Sequence, residues 1–516
     1  MESNIIGILV TIVIYLGGMI VIGAVFSRKN KDVGDFYLGG RKLGPLVSAM
    51  SAEASDMSSW LLLGLPGLAY LCGIAEASWT AIGLAVGTYL NWLFVARKLR
   101  LYSQKTNSIT LPDFFSDRYH DRQHLLSGIA AVIILIFFVP YTASGFSACG
   151  KLFSTLFGME YHTAMILSAV IIIAYTSMGG FLAASFTDLI QSIVMTTALV
   201  IIVIFGIHTA GGWDSVIENA KSLPNFLTLT VTRAANGDGT FGTAGYGFIP
   251  IVSTLAWGLG YFGMPHILLR FMAIEDAHKI KLSRRIASIW VVIAMSVAIL
   301  IGIIGNAISA NGTIAALNTS SESETIIIKI AELLSKNGFA AAMVAGLIFA
   351  GILACTMSTS DSQLLAASSS MSENILKGVF GMKLDKKQSM LVARLVLLAV
   401  AVMGVLLAWN PDSSVFRVVS FAWAGFGATF GPVMLTALFW KRSNRWGAMA
   451  GLITGGVMIF VWKFLIRPMG GGWDIYELLP AFLCALTAII VVSLATGKPE
   501  QAVEEEFDEV NKMMKA

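Results

Sequence analysis

Residues 51–60 read SAEASDMSSW and place Glu53 and Asp56 inside an apolar run, 46–71, long enough to cross a bilayer. A carboxylate at mid-bilayer costs about 2.5–3.5 kcal/mol on insertion scales, so such a residue is functional by default. The chemistry it suggests is cation binding. A hard cation such as sodium takes oxygen ligands. A helix interrupted here leaves carbonyls without intrahelical donors, and Ala54 and Met57, three apart, flank the interruption. A second oxygen set lies in ACTMSTSDSQ, residues 354–363, where Cys355, Ser358 and Thr359 share one helix face at i, i+3 and i+4. Two hydroxyls and a carbonyl there would complete a cage of five oxygens. Asp56 would ligate the ion or attract it from close by.

Each reading has a plainer alternative. Ser358 and Thr359 can bond back onto their own helix, as hydroxyl residues in membrane spans often do. Asp56 can be a protonated structural acid. Spacing alone leaves these alternatives open. Glu53 lies closer to the inner end, where it is expected to reach water. Asp188, in GGFLAASFTD, stands near the inner face at the start of a span, with functional and interfacial readings open.

The elements that must hold these groups are membrane helices. The 516 residues are 56% hydrophobic and only 13% charged, against about 25% charged in soluble chains. Apolar runs of spanning length recur from end to end. Thirteen spans can be drawn: 5–26, 46–71, 74–96, 125–156, 161–182, 187–208, 246–269, 286–309, 338–372, 390–409, 413–439, 446–466 and 476–496. The class is an all-α polytopic membrane protein. Four scattered cysteines without CxxC spacing argue against a zinc site or a disulfide framework. Neither a phosphate-binding glycine loop nor an HExxH motif occurs, and no pattern points to an enzyme or to nucleic acid.

Orientation follows from the cations. With the N-terminus outside, 27 of the 35 Lys and Arg fall on inner segments, in agreement with the positive-inside rule. The C-terminus is then cytoplasmic. The glycine-rich segment 209–245 is expected to be a mobile outer loop, and residues 497–516 a solvated acidic tail.

Two spans are interrupted. The first is 46–71; the second is 246–269, whose WGLGYFGMP carries three glycines and Pro265. Irregular backbone at membrane depth is tolerated only where it is buried in protein or lines a cavity. Each interruption opens a block of five spans, and paired breaks in two halves point to an inverted-repeat transporter. A channel with ordinary kinks is the alternative. The expected organisation is a first span with a basic loop (1–45), two repeats (46–208 and 246–439), two further spans (440–496) and the tail (497–516).

The chain resembles the sodium/solute symporter family, and within it the bacterial proline-transporting branch. The resemblance rests on DFYLGGRKLGP, ASDMSSWLLLGLPG, TLPDFFSDRY, GGFLAASFTD, WGLGYFGMPHILLRFMA, MSTSDSQLL and FAWAGFGATFGP, in order along nearly the whole chain. It implies a thirteen-span, leucine-transporter-like fold with five-plus-five inverted repeats and one coupling sodium. It implies that Ala54, Met57, Cys355, Ser358 and Thr359 hold the sodium and that Asp56 is needed to use it. Ser58, Tyr141, Trp257, Tyr261 and Pro265 would form the proline pocket, and Arg41 and Asp188 occupy positions of functional weight. Glu53, Ser59, Pro140 and Met264 depart from the family pattern, which bears on fine specificity. The aromatic set suits proline: a compact zwitterion offers a ring to aromatic faces, and those faces also attract its ammonium. The function implied is sodium-coupled import of L-proline in a bacterial plasma membrane, one sodium per proline, with no obligate protein partner. The alternative is a sodium symporter for another small amino acid or a monocarboxylate.

Overall fold

The computed structural model describes residues 2–27, 33–235 and 241–515. Arg28, Lys29 and Lys31, counted above as inner-face cations, lie outside them. The chain opens with α1 (Glu2–Ser27), which buries Ile8, Ile12, Tyr15 and Met19, a stripe at helical spacing. Its opposite face leaves the apolar Val13, Ile14 and Val21 exposed. The first interrupted span follows as α2 (Pro45–Asp56) and α3 (Trp60–Cys72). Then come α4 (Ile74–Lys105), the short α5 (Leu111–Arg118), α6 (Leu125–Phe157), α7 (Tyr161–Gly179) and α8 (Phe181–Thr209). The second interrupted span is α10 (Phe248–Phe262) and α11 (Pro265–Ala273), bent by 44°; α9 (Trp213–Ser222) precedes it. The rest are α12 (Ala277–Ala310), α13 (Ile326–Ser335), α14 (Phe339–Val379), α15 (Lys386–Leu407), α16 (Val415–Phe439), α17 (Arg445–Met469), α18 (Leu478–Ala495) and α19 (Gln501–Lys515). Among the described residues, ten helices are long and apolar enough to cross a membrane, or eleven with the bent pair as one span.

Several expectations need correction. Segment 209–245 contains α9 and an antiparallel hairpin, Val231–Ala235 with Phe241–Gly245, so the protein carries a small sheet beside its helices; the tip, 236–240, is outside the described residues. The sixth span starts at Phe181 rather than 187, because Gly180 at φ +76° ends α7 and lets the chain restart at once. Segment 310–337 is also folded. There the Glu324 carboxylate accepts from Lys151 Nζ (2.7 Å), from Ser414 Oγ (2.7 Å) and from the N–H groups of Val415 and Phe416 (3.1 Å each). It thereby caps the positive N-terminus of α16 with an anion.

The acidic tail is a docked helix. Val503, Phe507 and Val510 of α19 recur at helical spacing and are buried. Lys98 and Arg118 sit over the Phe507 ring at 4.7 and 5.1 Å. Around this apolar seam run Lys105–Glu509 and Lys441–Asp508, both 2.6 Å. Those pairs are half-exposed and stabilise little; the buried seam is what holds the helix. A count of charges misses this because the apolar residues are only three among many acids.

On the same face, Thr110 caps α5 by accepting the Asp113 N–H (3.1 Å), and Asn374 at the end of α14 donates to Asp113 Oδ1 (2.5 Å). Burial pushes the Asp113 carboxyl from its ordinary 3.8 up to about 7, against the hydrogen bond from Thr110, with the Asp117 and Glu373 carboxylates adding to the rise. The folded chain therefore holds this proton more tightly than the unfolded chain, and stability is lost as pH rises between about 4 and about 7. Asp113→Asn is expected to flatten that slope: unfolding midpoints in detergent at about pH 5 and about pH 8 should differ less than in the parent.

Candidate functional site

The break in α2 is built from local competition for donors. Pro45 starts the helix at its first position. At the other end the Met57 N–H still reaches the Glu53 carbonyl (2.7 Å), but the Ser58 N–H turns to the Asp56 carbonyl (2.7 Å). The Ala54 carbonyl thereby loses its intrahelical donor. It accepts instead from Ser358 Oγ of α14 at 2.8 Å. The Asp56 carbonyl also accepts from the Trp60 indole (3.1 Å) and the Tyr141 hydroxyl (3.3 Å).

Around Ala54 and Ser358 the expected cation ligands gather. Ser358 Oγ lies 3.2 Å from the Cys355 carbonyl, and Thr359 Oγ1 lies 3.0 Å from the same oxygen. Four of the five groups therefore form one continuous cluster across α2 and α14; Met57 stands at the break beside it. All five residues are buried. The back-bonding alternative is present too, since both hydroxyls engage Cys355 of their own helix. Hydroxyls that donate to a carbonyl keep lone pairs, so back-bonding does not exclude a cation there.

Asp56, fully buried, accepts the Tyr261 hydroxyl on Oδ2 at 2.5 Å. Glu53 does not reach water. It is 1% exposed, and its Oε1 accepts from Thr88 Oγ1 (3.1 Å) and the Trp92 indole (3.0 Å). Both donors lie on α4, whose residues 91–95 form a π-helical turn. The next residue on that turn, Asn91, donates to the Tyr261 carbonyl (2.9 Å) in the unwound part of α10.

The aromatic set divides. Tyr141 and Tyr261 point their hydroxyls at Asp56. Trp257 lies in a stack with Tyr476 (5.4 Å), Phe416 (5.2 Å) and Trp423 (6.2 Å), and its carbonyl accepts the Trp423 indole (2.8 Å). Ser58 is buried at the break. Pro265 starts α11; it lacks an N–H and holds Met264 extended, which fixes the second break. The N–H groups of His266 and Ile267 then sit in the first turn of that nine-residue helix, where donors lack helical partners.

Asp188 lies in the protein interior, away from water. Its carboxylate accepts from Ser51 Oγ (2.6 Å) and Arg270 Nη2 (3.1 Å), with the pair at most 1% exposed. Arg270 also donates to Ser51 Oγ (3.0 Å), Ser362 Oγ (2.5 Å) and the His266 carbonyl (2.9 Å). Arg270, one residue past the drawn end of the seventh span and one of the cations placed on inner segments, is thus buried in a helix; the reasoning applied to Asp56 applies equally to it and to the buried Asp361. No sequence signal marks Thr88 or Asn91, and FAWAGFGATFGP, which contains Trp423, gave that residue no role. Arg41, at φ +56°, donates to Ser103 Oγ (3.1 Å) and to the carbonyls of Ser103 (2.8 Å), Ser108 (2.7 Å) and Met272 (2.6 Å). It clamps the end of α4 to the end of α11.

Two interrupted helices that meet at a buried carboxylate, beside an oxygen cluster between α2 and α14, are the arrangement of an ion-coupled transporter. Residues 36–455 match the model for the sodium:solute symporter family. The chain belongs to that family. It is 41% identical over 503 residues to the sodium/proline symporter of Salmonella typhimurium (97% of this chain, 95% of that one). It is 39% identical to a high-affinity proline transporter of Bacillus subtilis (96% of this chain, 100% of that one). Its fold is similar to that of a Na+-coupled sialic acid symporter in a substrate-bound outward-open state, with a TM-score of 0.78 at 18% identity, covering 96% of this chain and 99% of that one.

The contact between α4 and α10 is backbone against backbone. A Cβ on Gly87 would fall on the Gly258 carbonyl. Alanine normally helps a helix by up to about 1 kcal/mol over glycine. Here the clash is expected to reverse that sign by about 1–3 kcal/mol. Gly87→Ala should lower the thermal midpoint in detergent. Gly456→Ala, which meets only Thr429 Cγ2 at 3.6 Å, should not.

Proposed function

We propose that the chain is a sodium-coupled importer of L-proline, a transporter rather than an enzyme, working by alternating access with one sodium per proline. The observation that carries the reading is the cluster joining the Ala54 carbonyl to Ser358, Cys355 and Thr359 at the break of α2. Ala54, Met57, Cys355, Ser358 and Thr359 hold the sodium. Asp56 supplies the countercharge, since a lone cation in this interior is costly without one. Sodium exchanges the Ala54–Ser358 hydrogen bond for coordination, and so fixes α2 against α14.

Proline binds beside it. Its carboxylate meets the free N–H groups at the start of α11, behind Pro265. Its ring lies against Tyr141, Tyr261 and Trp257, with Ser58 between ion and substrate. Arg41 and Asp188 act as couplers, each bonded to groups on or beside the two interrupted helices. The names of the relatives support proline as the substrate.

The topology proposed has thirteen passes. The ten long helices are joined by α2 with α3, by α10 with α11, and by α7, each counted as one crossing. The N-terminus is outside and the C-terminus cytoplasmic. Residues 46–208 and 246–439 form inverted repeats, with 1–45 before them, 440–496 after them, and 497–516 folded against the inner face.

One charge moving through about 100 mV releases about 2.3 kcal/mol. A tenfold sodium gradient adds about 1.4 kcal/mol. Together they support roughly 500-fold accumulation, so one sodium suffices. In proteoliposomes, labelled proline should accumulate uphill only with a sodium gradient, and more at an inside-negative potential. Accumulation that ignores sodium would end the proposal, and full competition by another amino acid or a monocarboxylate would move it to that substrate. Asp56→Asn should cut sodium-driven uptake at least about tenfold, a loss of about 1.4 kcal/mol or more. Ser358→Ala with Thr359→Ala should raise the sodium concentration for half-maximal uptake far more than the proline concentration. Trp257→Ala should do the opposite.

A further inference from the structure

Three buried oxygens, Glu53 Oε2, Asp56 Oδ1 and Asn91 Oδ1, receive no hydrogen bond from any described residue. Their residues are at most 1% exposed. A buried acceptor left without a donor is costly, more so when it carries charge, and each one in a folded protein calls for a reason.

The three fall on one circuit of contacts. Glu53 and Asp56 are three apart on α2, neighbours on one helix face. Glu53 Oε1 is held by Thr88 Oγ1 and the Trp92 indole, which stand either side of Asn91 on α4. Asn91 Nδ2 donates to the Tyr261 carbonyl (2.9 Å). A carbonyl has no proton to give, so the amide is oriented and its oxygen is the free end. The Tyr261 hydroxyl donates to Asp56 Oδ2 (2.5 Å) and closes the circuit. Glu53 departs from the family pattern and has no part in the function proposed above.

Few species could serve all three oxygens. A protonated carboxyl offers one O–H, which satisfies one neighbour and leaves the others unmet. A hard cation coordinates several oxygens at once. Charge balance sets its valence. Both carboxylates are met only by neutral donors. Asp56 is the countercharge of the transported sodium, so one negative charge, that of Glu53, remains.

We propose a second monovalent-cation site, a sodium held by Glu53 Oε2, Asp56 Oδ1 and Asn91 Oδ1, separate from the cluster on α14. This rests on the reading of the chain as a sodium symporter. The second ion is resident rather than transported. The first site spans α2 and α14. The second lies within α2, α4 and α10. A Cβ on Gly83 or Gly87 of α4 would strike the backbone of Leu255 or Gly258 of α10, so those two elements touch without side chains between them. A cation enclosed by elements that stay together has no stage of the cycle at which to leave. One transported sodium per proline is retained.

The test is equilibrium binding of radiolabelled sodium to the purified full chain with saturating proline, together with labelled sodium and proline fluxes in proteoliposomes. Two sodium ions per chain and a flux ratio of one are expected in the parent. Glu53→Gln puts an amide N–H where the free oxygen was. It should bind one sodium, the one that Ser358→Ala with Thr359→Ala weakens. Asn91→Ala should weaken the other ion at least about tenfold, and both variants should lose part of the sodium-dependent rise in thermal midpoint. A parent that binds a single sodium overturns the second site and leaves the proposed function standing, whether or not the variants fold. A Glu53→Gln variant that still binds two does the same. Two ions carried per proline overturn the resident role and the stoichiometry proposed above. A parent with no sodium-dependent proline binding overturns the proposed function itself, and the second site with it.

Discussion

Inside a bilayer no water is available to a stray carbonyl or N–H, so every interruption of a helix must be answered by another part of the protein. The structure is organised around that demand at residues 54–58. Once the Ser58 N–H turns to Asp56, the Ala54 carbonyl needs a donor, and Ser358 supplies it from 304 positions away. Tyr141 and Trp60 answer for Asp56. Each of those side chains belongs to an element that must therefore pack against α2. The break is thus what draws α2, α6 and α14 together, and the oxygen cluster is its by-product.

Buried charge obeys a similar rule, with two different solutions. Asp188 is met by a full cation, Arg270, and by a serine hydroxyl shared between them. Truncating either partner of such a pair would leave an uncompensated charge in the interior. Asp56 and Glu53 are met only by neutral donors: Tyr261 for one, Thr88 and Trp92 for the other. A closed ion pair stores its cation permanently. Carboxylates satisfied by hydroxyl and indole groups keep their attraction for a mobile one. On this physical ground Asp56, rather than Asp188, is the residue suited to a cation that comes and goes.

Much of this was legible in the sequence because the signals are local. A proline and three glycines in nine residues mark the second break, and an aspartate among serines marks the first. Helical spacing set Cys355, Ser358 and Thr359 on one face. What could not be read were contacts between distant segments. Glu53 looked as if it could reach water because it lies towards one end of its span; its partners come from α4, far off in the chain. Arg270 looked like a loop cation because its anion lies 82 positions away. The tail looked solvated because only three of its residues carry the docking face.

The same contacts say which parts can move as one. The backbones of α4 and α10 touch at Gly83, Gly87 and Gly258 with no side chain between them. Asn91 and Trp92 add a bond to Tyr261 and a ring contact to Phe271 at 4.4 Å. Glu53 ties α2 to that same turn, and the Leu43 N–H reaches the Ala273 carbonyl (3.1 Å) to join the start of the first interrupted span to the end of the second. Backbone packing and buried carboxylate bonds are hard to break, so α2, α4, α10 and α11 form one body. Across to α14 the joints are hydrogen bonds: a neutral one at Ala54 worth about 1 kcal/mol, and one from Arg270 to Ser362 Oγ (2.5 Å). Under the function proposed above, the neutral joint at Ala54 is the one where sodium would replace a hydroxyl proton, while the Arg270 bond stays outside the cluster.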